Sequence, residues 1–147
     1  PIPSRGLGDV YKRQILKLNP ENKLLARADS YPEYDKDLSS QFFKESLYYE
    51  KLNKNYDLSI KDYFQTGLMF YDTDIIKSDT KDNLIKLSEK FPLSSTNEQG
   101  IMNLYFGCEE NNYQELDINV GEYKTYFYWM IKDEKIIITK QSREQYK

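Results

Sequence analysis

Three short segments of the sequence combine polar side chains with apolar runs in a way that could form a ligand-binding site. In residues 23–30 (KLLARADS), Asp29 follows an apolar run, and a carboxylate at the end of a strand in an α/β sheet commonly faces the ligand crevice. In residues 63–69 (YFQTGLM), polar groups precede Gly67, which permits either a close backbone approach to a ligand or a bend in the strand. Residues 97–103 (NEQGIMN) place polar groups on the predicted first turn of a helix, whose free N–H groups favour anionic ligands. These three segments form the candidate site.

Strands and helices that would position these segments are predicted from apolar spacing and capping residues, and their mixture gives an α/β fold. Short length predicts a strand at residues 23–28, and length with aromatic content predicts a buried strand at residues 67–71. Three helices are predicted: one at residues 39–53 capped by Ser39 or Asp37, one between Asp79 and Pro92, and one at residues 97–106 with Gly107 as its C-cap. From spacing alone, Thr96 and Gln99 predict a capping box at the start of the third helix.

The C-terminal part of the chain is predicted to form strands, at residues 123–130 and 136–139 with a hairpin turn at 133–134. Aromatic rings lie on both faces of the first of these strands, so we expect them to supply hydrophobic core. The alternative is a non-enzymatic carbohydrate-binding or interaction module, in which rings such as Tyr126, Tyr128 and Trp129 stack on sugars.

In their order and separation, the three segments resemble the acceptor-side half of nucleotide-sugar glycosyltransferases of the GT-A type. The closest resemblance is to the family-8 group, which includes glycogenins and bacterial lipopolysaccharide galactosyltransferases. That family has a strand ending in Asp, a phenylalanine-asparagine-small-glycine motif leading into an apolar strand, and Asp-Gln opening a helix that ends Ile-Leu-Asn. The matching residues here are Leu24 to Asp29, Phe64-Gln65-Thr66-Gly67, and Glu98-Gln99 followed by Ile101-Met102-Asn103. The resemblance covers roughly residues 15–107 and implies an incomplete GT-A fold that lacks its N-terminal nucleotide-binding strands.

The resemblance also implies a reaction and a role for each matched residue. The reaction is transfer of a hexose from a nucleotide diphosphate sugar to a glycan or other acceptor with retention of anomeric configuration, by positioning and charge stabilisation. Gln99 would steady the developing oxocarbenium ion, and Glu98 would hold donor or acceptor hydroxyls. Asp29 would bind the donor sugar, and Gln65-Thr66-Gly67 would line its pocket. The family more often has Asn at the position of Gln65 and Asp at that of Glu98.

Members of that family bind Mn²⁺ or Mg²⁺ through an Asp-x-Asp motif and a late His, and the metal neutralises the diphosphate leaving group. This chain has no His, so we expect the metal site in the parent enzyme and assign no metal ligand here. The pair Asp72 and Asp74 follows apolar residues and would indicate a small metal-dependent enzyme if further carboxylates converged on it. The simpler interpretation is that Asp74 or Asp79 caps the helix that follows.

Composition excludes several classes of function. A net charge of -3 excludes a strongly basic nucleic-acid binder, and the absence of His excludes catalysis or metal ligation by imidazole. The single cysteine, Cys108, cannot form an internal disulfide, which favours a reducing compartment such as the cytoplasm. Lacking a His partner, it is expected to act as a buried hydrophobe. No apolar stretch approaches the roughly 20 residues that span a bilayer.

The first fourteen residues (PIPSRGLGDVYKRQ) differ in composition from the Lys-, Asn-, Ile- and Tyr-rich remainder. Residues 9–14 back-translate as GAT GTG TAT AAG AGA CAG, which resembles the transposon end used to prepare sequencing libraries. We therefore expect residues 1–14 to be an adapter-derived leader and residues 15–147 to be the C-terminal part of a glycosyltransferase domain. A chain of this kind would be inactive by itself.

Overall fold

The computed structural model describes residues 18–29 and 36–116, together with the backbone of four two-residue strands at 119–120, 123–124, 131–132 and 135–136. The chain divides into two compact units, one of Glu21–Leu116 and the other of Pro1–Pro20 with Asp117–Lys147. The candidate site segments all belong to the first unit.

A three-stranded mixed sheet runs through the first unit. Its middle strand, β1 (Leu24–Ala28), pairs antiparallel with β2 (Phe64–Tyr71) and parallel with β3 (Tyr113–Glu115). All five residues of β1 are buried, as expected of a central strand with both faces covered. The predicted strands at 23–28 and 67–71 are confirmed, although β2 begins three residues earlier because Phe64 pairs with Ala28. Of the two pairings in this sheet, one is antiparallel and one is parallel.

The helix predicted at residues 39–53 is confirmed for residues 49–53 and wrong for the residues before them. The chain instead forms a 3₁₀-helix, Leu38–Gln41, capped by Asp37, and the α-helix α1 (Tyr49–Asn55) begins eight residues later. Phe42 explains the interruption, because it is extended, forms a β-bridge with Ser94 and is only 3% exposed. Burial of this ring outweighs the local helical pattern.

The second predicted helix is confirmed as α2 (Thr80–Lys90), with Asp79 at the N-cap position. The third begins as α3 (Gln99–Met102) and continues as π-helical turns through Asn103–Glu109, so the predicted C-cap at Gly107 is wrong. The helical segment ends at Glu109, with Glu110 as its C-cap. The next residue, Asn111, has a φ of 49°, and Asn tolerates this left-handed conformation, which commonly follows a helix end.

In the second unit, β4 (Asn119–Val120) pairs antiparallel with β5 (Tyr123–Lys124), and β6 (Ile131–Lys132) with β7 (Lys135–Ile136). The pairing of Lys132 with Lys135 is the register that the predicted turn at 133–134 requires. The remainder of the predicted C-terminal strands, including residues 126–129, lies outside the described residues, as does the leader.

Aromatic and leucine side chains form the hydrophobic core of the first unit. Those that are almost completely buried are Leu24, Leu38, Leu52, Tyr63, Phe64, Phe91, Leu104, Tyr105 and Phe106. Buried tyrosines thus supply apolar area in a chain that has few aliphatic residues. None of the helices in the described part of the chain is long and apolar enough to cross a membrane.

Tight packing of α3 against Phe42 predicts that Gly100→Ala destabilises the protein. A Cβ at Gly100 would lie 2.9 Å from Cε1 of Phe42 and 3.2 Å from Oγ of Ser94, and overpacking of this kind costs about 1–3 kcal/mol. Urea unfolding of the wild type and the variant measures the difference.

Gly107→Ala is the matched control, because the nearest atom to its added Cβ is Oδ1 of Asn103 at 3.9 Å. This helical glycine has room for a methyl group, so the change should stabilise the protein by about 0.5–1 kcal/mol. A Gly100→Ala variant as stable as Gly107→Ala would contradict this packing.

Candidate functional site

Four of the predicted site residues converge at one end of the sheet. Asp29 directly follows β1, Thr66 lies near the start of β2, and Glu98 and Gln99 lie at the start of α3. Gln99 Nε2 donates to Oδ2 of Asp29 at 3.2 Å, and Gln99 Oε1 accepts from the backbone N–H of Thr66 at 3.1 Å. The Thr66 hydroxyl donates to Oε1 of Glu98 at 2.9 Å. Residues up to 70 positions apart in the sequence therefore form one hydrogen-bonded group.

The pairing of β1 with β2 places Asp29 beside Tyr63, at the start of β2. Ala28 pairs with Phe64, and the N–H of Asp29 donates to the carbonyl of Tyr63 at 2.9 Å. The carbonyl of Tyr63 therefore points toward β1. The N–H of Phe64 belongs to the same trans peptide, so it points the opposite way, away from β1. The start of β2 therefore presents unpaired N–H groups on its outer edge.

Two side-chain amides of the α3 segment bind this outer edge. Asn103 Oδ1 accepts from the N–H of Phe64 at 2.8 Å, and Asn103 Nδ2 donates to the carbonyl of the same residue at 2.8 Å. Gln99 binds the N–H of Thr66 in the same way. Four residues span about 6 Å along a helix, close to the roughly 6.6 Å between alternate residues of a strand. The spacing of the two amides thus matches the spacing of the two N–H groups.

Gln41 completes the group and was not predicted from the sequence. Its Oε1 accepts from Gln99 Nε2 at 2.9 Å and from the Thr96 hydroxyl at 2.7 Å, and the residue is only 3% exposed. No sequence signal marks it, because a lone Gln in a segment with a helical pattern is usually on the surface. We call Asp29, Gln41, Thr66, Glu98 and Gln99 the polar cluster.

The predicted capping box of Thr96 and Gln99 is wrong. In the part of the chain that the structure describes, Glu98 occupies the N-cap position and makes no side-chain cap hydrogen bond. The Gln99 amide is directed to the strands, and the Thr96 hydroxyl donates to Gln41. The polar side chains at this turn therefore join separate elements and do not serve the helix end.

The other two predicted site residues lie on β2 beside the polar cluster. Gly67 is exposed and Gln65 is half-buried. Among the contacts of the described residues, the buried Oε1 of Gln65 accepts no hydrogen bond. A buried acceptor without a donor costs about 1–3 kcal/mol, so this oxygen is a local source of instability.

Tyr63 lies beneath the polar cluster and is 1% exposed. Burial, reinforced by the nearby carboxylate of Asp29, raises the pKa of Tyr63 to about 12. The phenol therefore stays protonated at neutral pH, and its hydroxyl lies 3.3 Å from Oγ of Ser40.

The carboxylate of Asp72 has a structural role. Its Oδ1 accepts from the N–H of Asp74 and its Oδ2 from the N–H of Asn22, both at 2.9 Å, which caps the 3₁₀-helix Thr73–Ile75. These backbone hydrogen bonds lower the pKa of Asp72. Within residues 18–29 and 36–116, no three Asp, Glu, Cys or His side chains are grouped so as to hold a metal ion, so the carboxylates that a metal site here would need do not converge. Asp72 thus caps this 3₁₀-helix, whereas Asp79 occupies the predicted N-cap position of α2 but makes no side-chain cap hydrogen bond there.

Two grooves lie elsewhere in the same unit. One, of about 690 Å³, is lined by residues that include Tyr56, Asp57, Cys108, Glu109 and Tyr113. The other, of about 400 Å³, is apolar, with Leu24, Met69, Ile85 and Met102 among its walls. Neither groove is lined by the polar cluster. Burial raises the pKa of the Cys108 thiol, which agrees with its expected role as a hydrophobe.

Comparison with known proteins yields no relative from which a function could be transferred. No family model, curated protein or solved structure matches the chain. The interpretation of the polar cluster therefore depends on its own residues and contacts.

The contacts of Gln99 predict that Gln99→Glu destabilises the protein in a pH-dependent way. The introduced carboxyl would replace the Nε2 that lies 3.2 Å from Oδ2 of Asp29 and 2.9 Å from Oε1 of Gln41. Facing two acceptors, it would have a pKa in the folded state above its value in the unfolded chain. The variant therefore loses stability as pH rises, by about 2–3 kcal/mol at pH 7 and under ~1 kcal/mol at pH 4, relative to the wild type at the same pH.

Urea unfolding at the two pH values measures this difference. Gln114→Glu is the control, because Gln114 is exposed on β3 and its replacement should alter stability little at either pH. A loss for Gln99→Glu that is equal at pH 4 and pH 7 would show that the amide does not face the Asp29 carboxylate.

Proposed function

We propose that the polar cluster is the sugar-binding centre of a GT-A glycosyltransferase of the family-8 type. The reaction is transfer of a hexose from a nucleotide diphosphate sugar to a glycan or other acceptor, with retention of anomeric configuration. The observation that carries this proposal is the Gln99 amide, which is held between the end of β1 and the start of β2. The mixed α/β architecture of the described residues is compatible with that fold.

The hydrogen bonds that Gln99 makes leave only one group of its side chain that can still contact a ligand. A side-chain amide has two N–H donors and two oxygen lone pairs. Both donors are used, one by Asp29 and one by Gln41, and the Thr66 N–H occupies one lone pair. By these contacts, only an oxygen lone pair is left, which can face positive charge. That is the group needed beside an anomeric carbon that becomes an oxocarbenium ion.

The neighbouring groups suit sugar hydroxyls. Asp29 and Glu98 provide carboxylate oxygens, which accept hydrogen bonds strongly. Glu98 is exposed, whereas Asp29, Thr66 and Gln99 are half-buried. A ligand arriving from solvent can therefore contact the cluster, which supports a role for Asp29 toward the donor sugar and for Glu98 toward donor or acceptor.

The metal that this family uses, Mn²⁺ or Mg²⁺, would neutralise the diphosphate leaving group. The described residues do not fit a site for it, because they contain no cluster of metal-ligating side chains and the oxygens of Asp72 are taken by backbone N–H groups. The role of these residues is to bind and orient the sugar.

Turnover of sugar nucleotides tests the proposal. The protein translated from the intact gene should hydrolyse a nucleotide diphosphate hexose in a manganese-dependent way. Gln99→Ala should lower kcat by about 10²–10³-fold, the usual effect of removing one stabilising group from a charged transition state. Product release from a panel of such sugars measures both.

Gln114→Ala is the matched control, because it removes the same amide from an exposed position on β3 and should leave kcat unchanged. Wild-type kcat in the Gln99→Ala enzyme would remove Gln99 from the mechanism. If the enzyme turns over none of the sugar nucleotides in the panel, the proposed glycosyltransferase function is wrong.

A further inference from the structure

We propose that Gln41 is a positioning residue that fixes the direction in which the Gln99 amide faces. The inference rests on the proposed function, because it assigns Gln41 to the orientation of the group beside the donor sugar. It concerns a side chain on the 3₁₀-helix Leu38–Gln41, an element that none of the motifs in the sequence includes.

The direction of Gln99 is set through a series of hydrogen bonds that begins at a backbone carbonyl. The Ser40 hydroxyl donates its single hydrogen to the carbonyl of Asp37 at 2.8 Å. Its oxygen can then only accept hydrogen bonds, from Gln41 Nε2 at 3.1 Å and from the Tyr63 hydroxyl at 3.3 Å. The NH₂ group of Gln41 must therefore face Ser40, and its carbonyl oxygen must face the opposite way.

The orientation of Gln41 determines that of Gln99. Oε1 of Gln41 can only accept, as can the carboxylate of Asp29. Both lie within hydrogen-bond distance of Nε2 of Gln99, at 2.9 Å and 3.2 Å. A flipped Gln99 amide would set its oxygen against these two acceptors and its NH₂ against the N–H of Thr66. The carbonyl oxygen of Gln99 is thereby held toward β2.

Burial makes this arrangement effective. Gln41 is 3% exposed, so its oxygen has little access to water, and unsatisfied polar groups at such a position are costly. The Thr96 hydroxyl, which also donates to Oε1 of Gln41 at 2.7 Å, holds the same oxygen in place. Gln41 thus acts on the reaction through Gln99 and does not touch the sugar.

The test compares Gln41→Met with Gln41→Glu in the enzyme from the intact gene. Methionine keeps the length of the side chain but cannot accept from Gln99, so kcat should fall by about 10–10²-fold while KM for the sugar nucleotide stays within about threefold. A buried carboxyl that faces acceptors stays protonated, so the carboxyl introduced by Gln41→Glu would donate to Ser40 and still accept from Gln99, and this variant should retain kcat within about fivefold. Gln114→Met, at the exposed position on β3, is the control.

A second measurement needs no activity. In the 147-residue chain, the side-chain NH₂ hydrogens of Gln99 should exchange with solvent about tenfold faster in Gln41→Met than in wild type, because one of their two acceptors is gone. Ser40→Ala removes the acceptor that orients the Gln41 amide, so exchange of the Gln99 NH₂ hydrogens should also become faster in this variant. It replaces Gln41→Met in the experiment if Gln41→Met does not fold.

The outcomes separate this inference from the proposed function. Loss of turnover in Gln99→Ala together with wild-type kcat in Gln41→Met would overturn the inference and leave the function intact. Unchanged exchange of the Gln99 NH₂ group in both Gln41→Met and Ser40→Ala would also overturn it, whatever the enzyme's activity. Wild-type turnover in Gln99→Ala would overturn the proposed function instead.

Discussion

The described part of this chain depends on one match of spacing, between two side-chain amides on a helix and two backbone groups on a strand. Gln99 and Asn103 are four residues apart, and they bind the N–H groups of Thr66 and Phe64, respectively, which are two residues apart. Asn103 also donates to the backbone carbonyl of Gln99 at 2.9 Å, which holds its side chain against the preceding helical turn. Because Asn103 is 2% exposed, water cannot replace it, and its loss would leave the backbone of Phe64 with buried unpaired groups. The contact therefore fixes where the helix lies against the sheet.

The same hydrogen bonds cover an exposed strand edge and orient the polar groups of the cluster. An edge strand presents unpaired N–H groups, which proteins usually cover or pair. Here side-chain amides cover the start of β2, and one of them, Gln99, is left with its NH₂ group directed at Asp29 and Gln41. A carboxylate, two amides and a hydroxyl are thus held in fixed orientation at the end of a buried strand. Such preorganised polar groups are what stabilisation of a developing charge requires.

The sequence predicts the parts of this arrangement that depend on local pattern. β1 is a short buried run and α2 has regular apolar spacing between a cap and a proline, so both are predicted close to their observed bounds. Asp29, Thr66, Glu98 and Gln99 are identified because each lies where a strand or helix begins or ends.

The remaining features depend on contacts between distant segments. Phe42 interrupts a predicted helix by pairing with Ser94, 52 residues further along the chain, and Gln41 matters only because Gln99 lies beside it. The spacing of Thr96 and Gln99 fits a capping box equally well, and only the position of β2 decides that the amide is directed elsewhere. A local pattern records the propensity of a segment but not its partner, which is why these features were missed or predicted wrongly.

The most direct measurement of the central claim is NMR titration of the protein from the intact gene with a panel of nucleotide diphosphate hexoses. If the polar cluster binds the sugar, the backbone N–H of Thr66 and the side-chain NH₂ groups of Gln99 and Gln65 will shift on addition of the preferred donor, and the side chain of Gln114 will not. Shifts confined to the groove that includes Cys108 and Glu109, with Thr66 and Gln99 unchanged, would contradict the account.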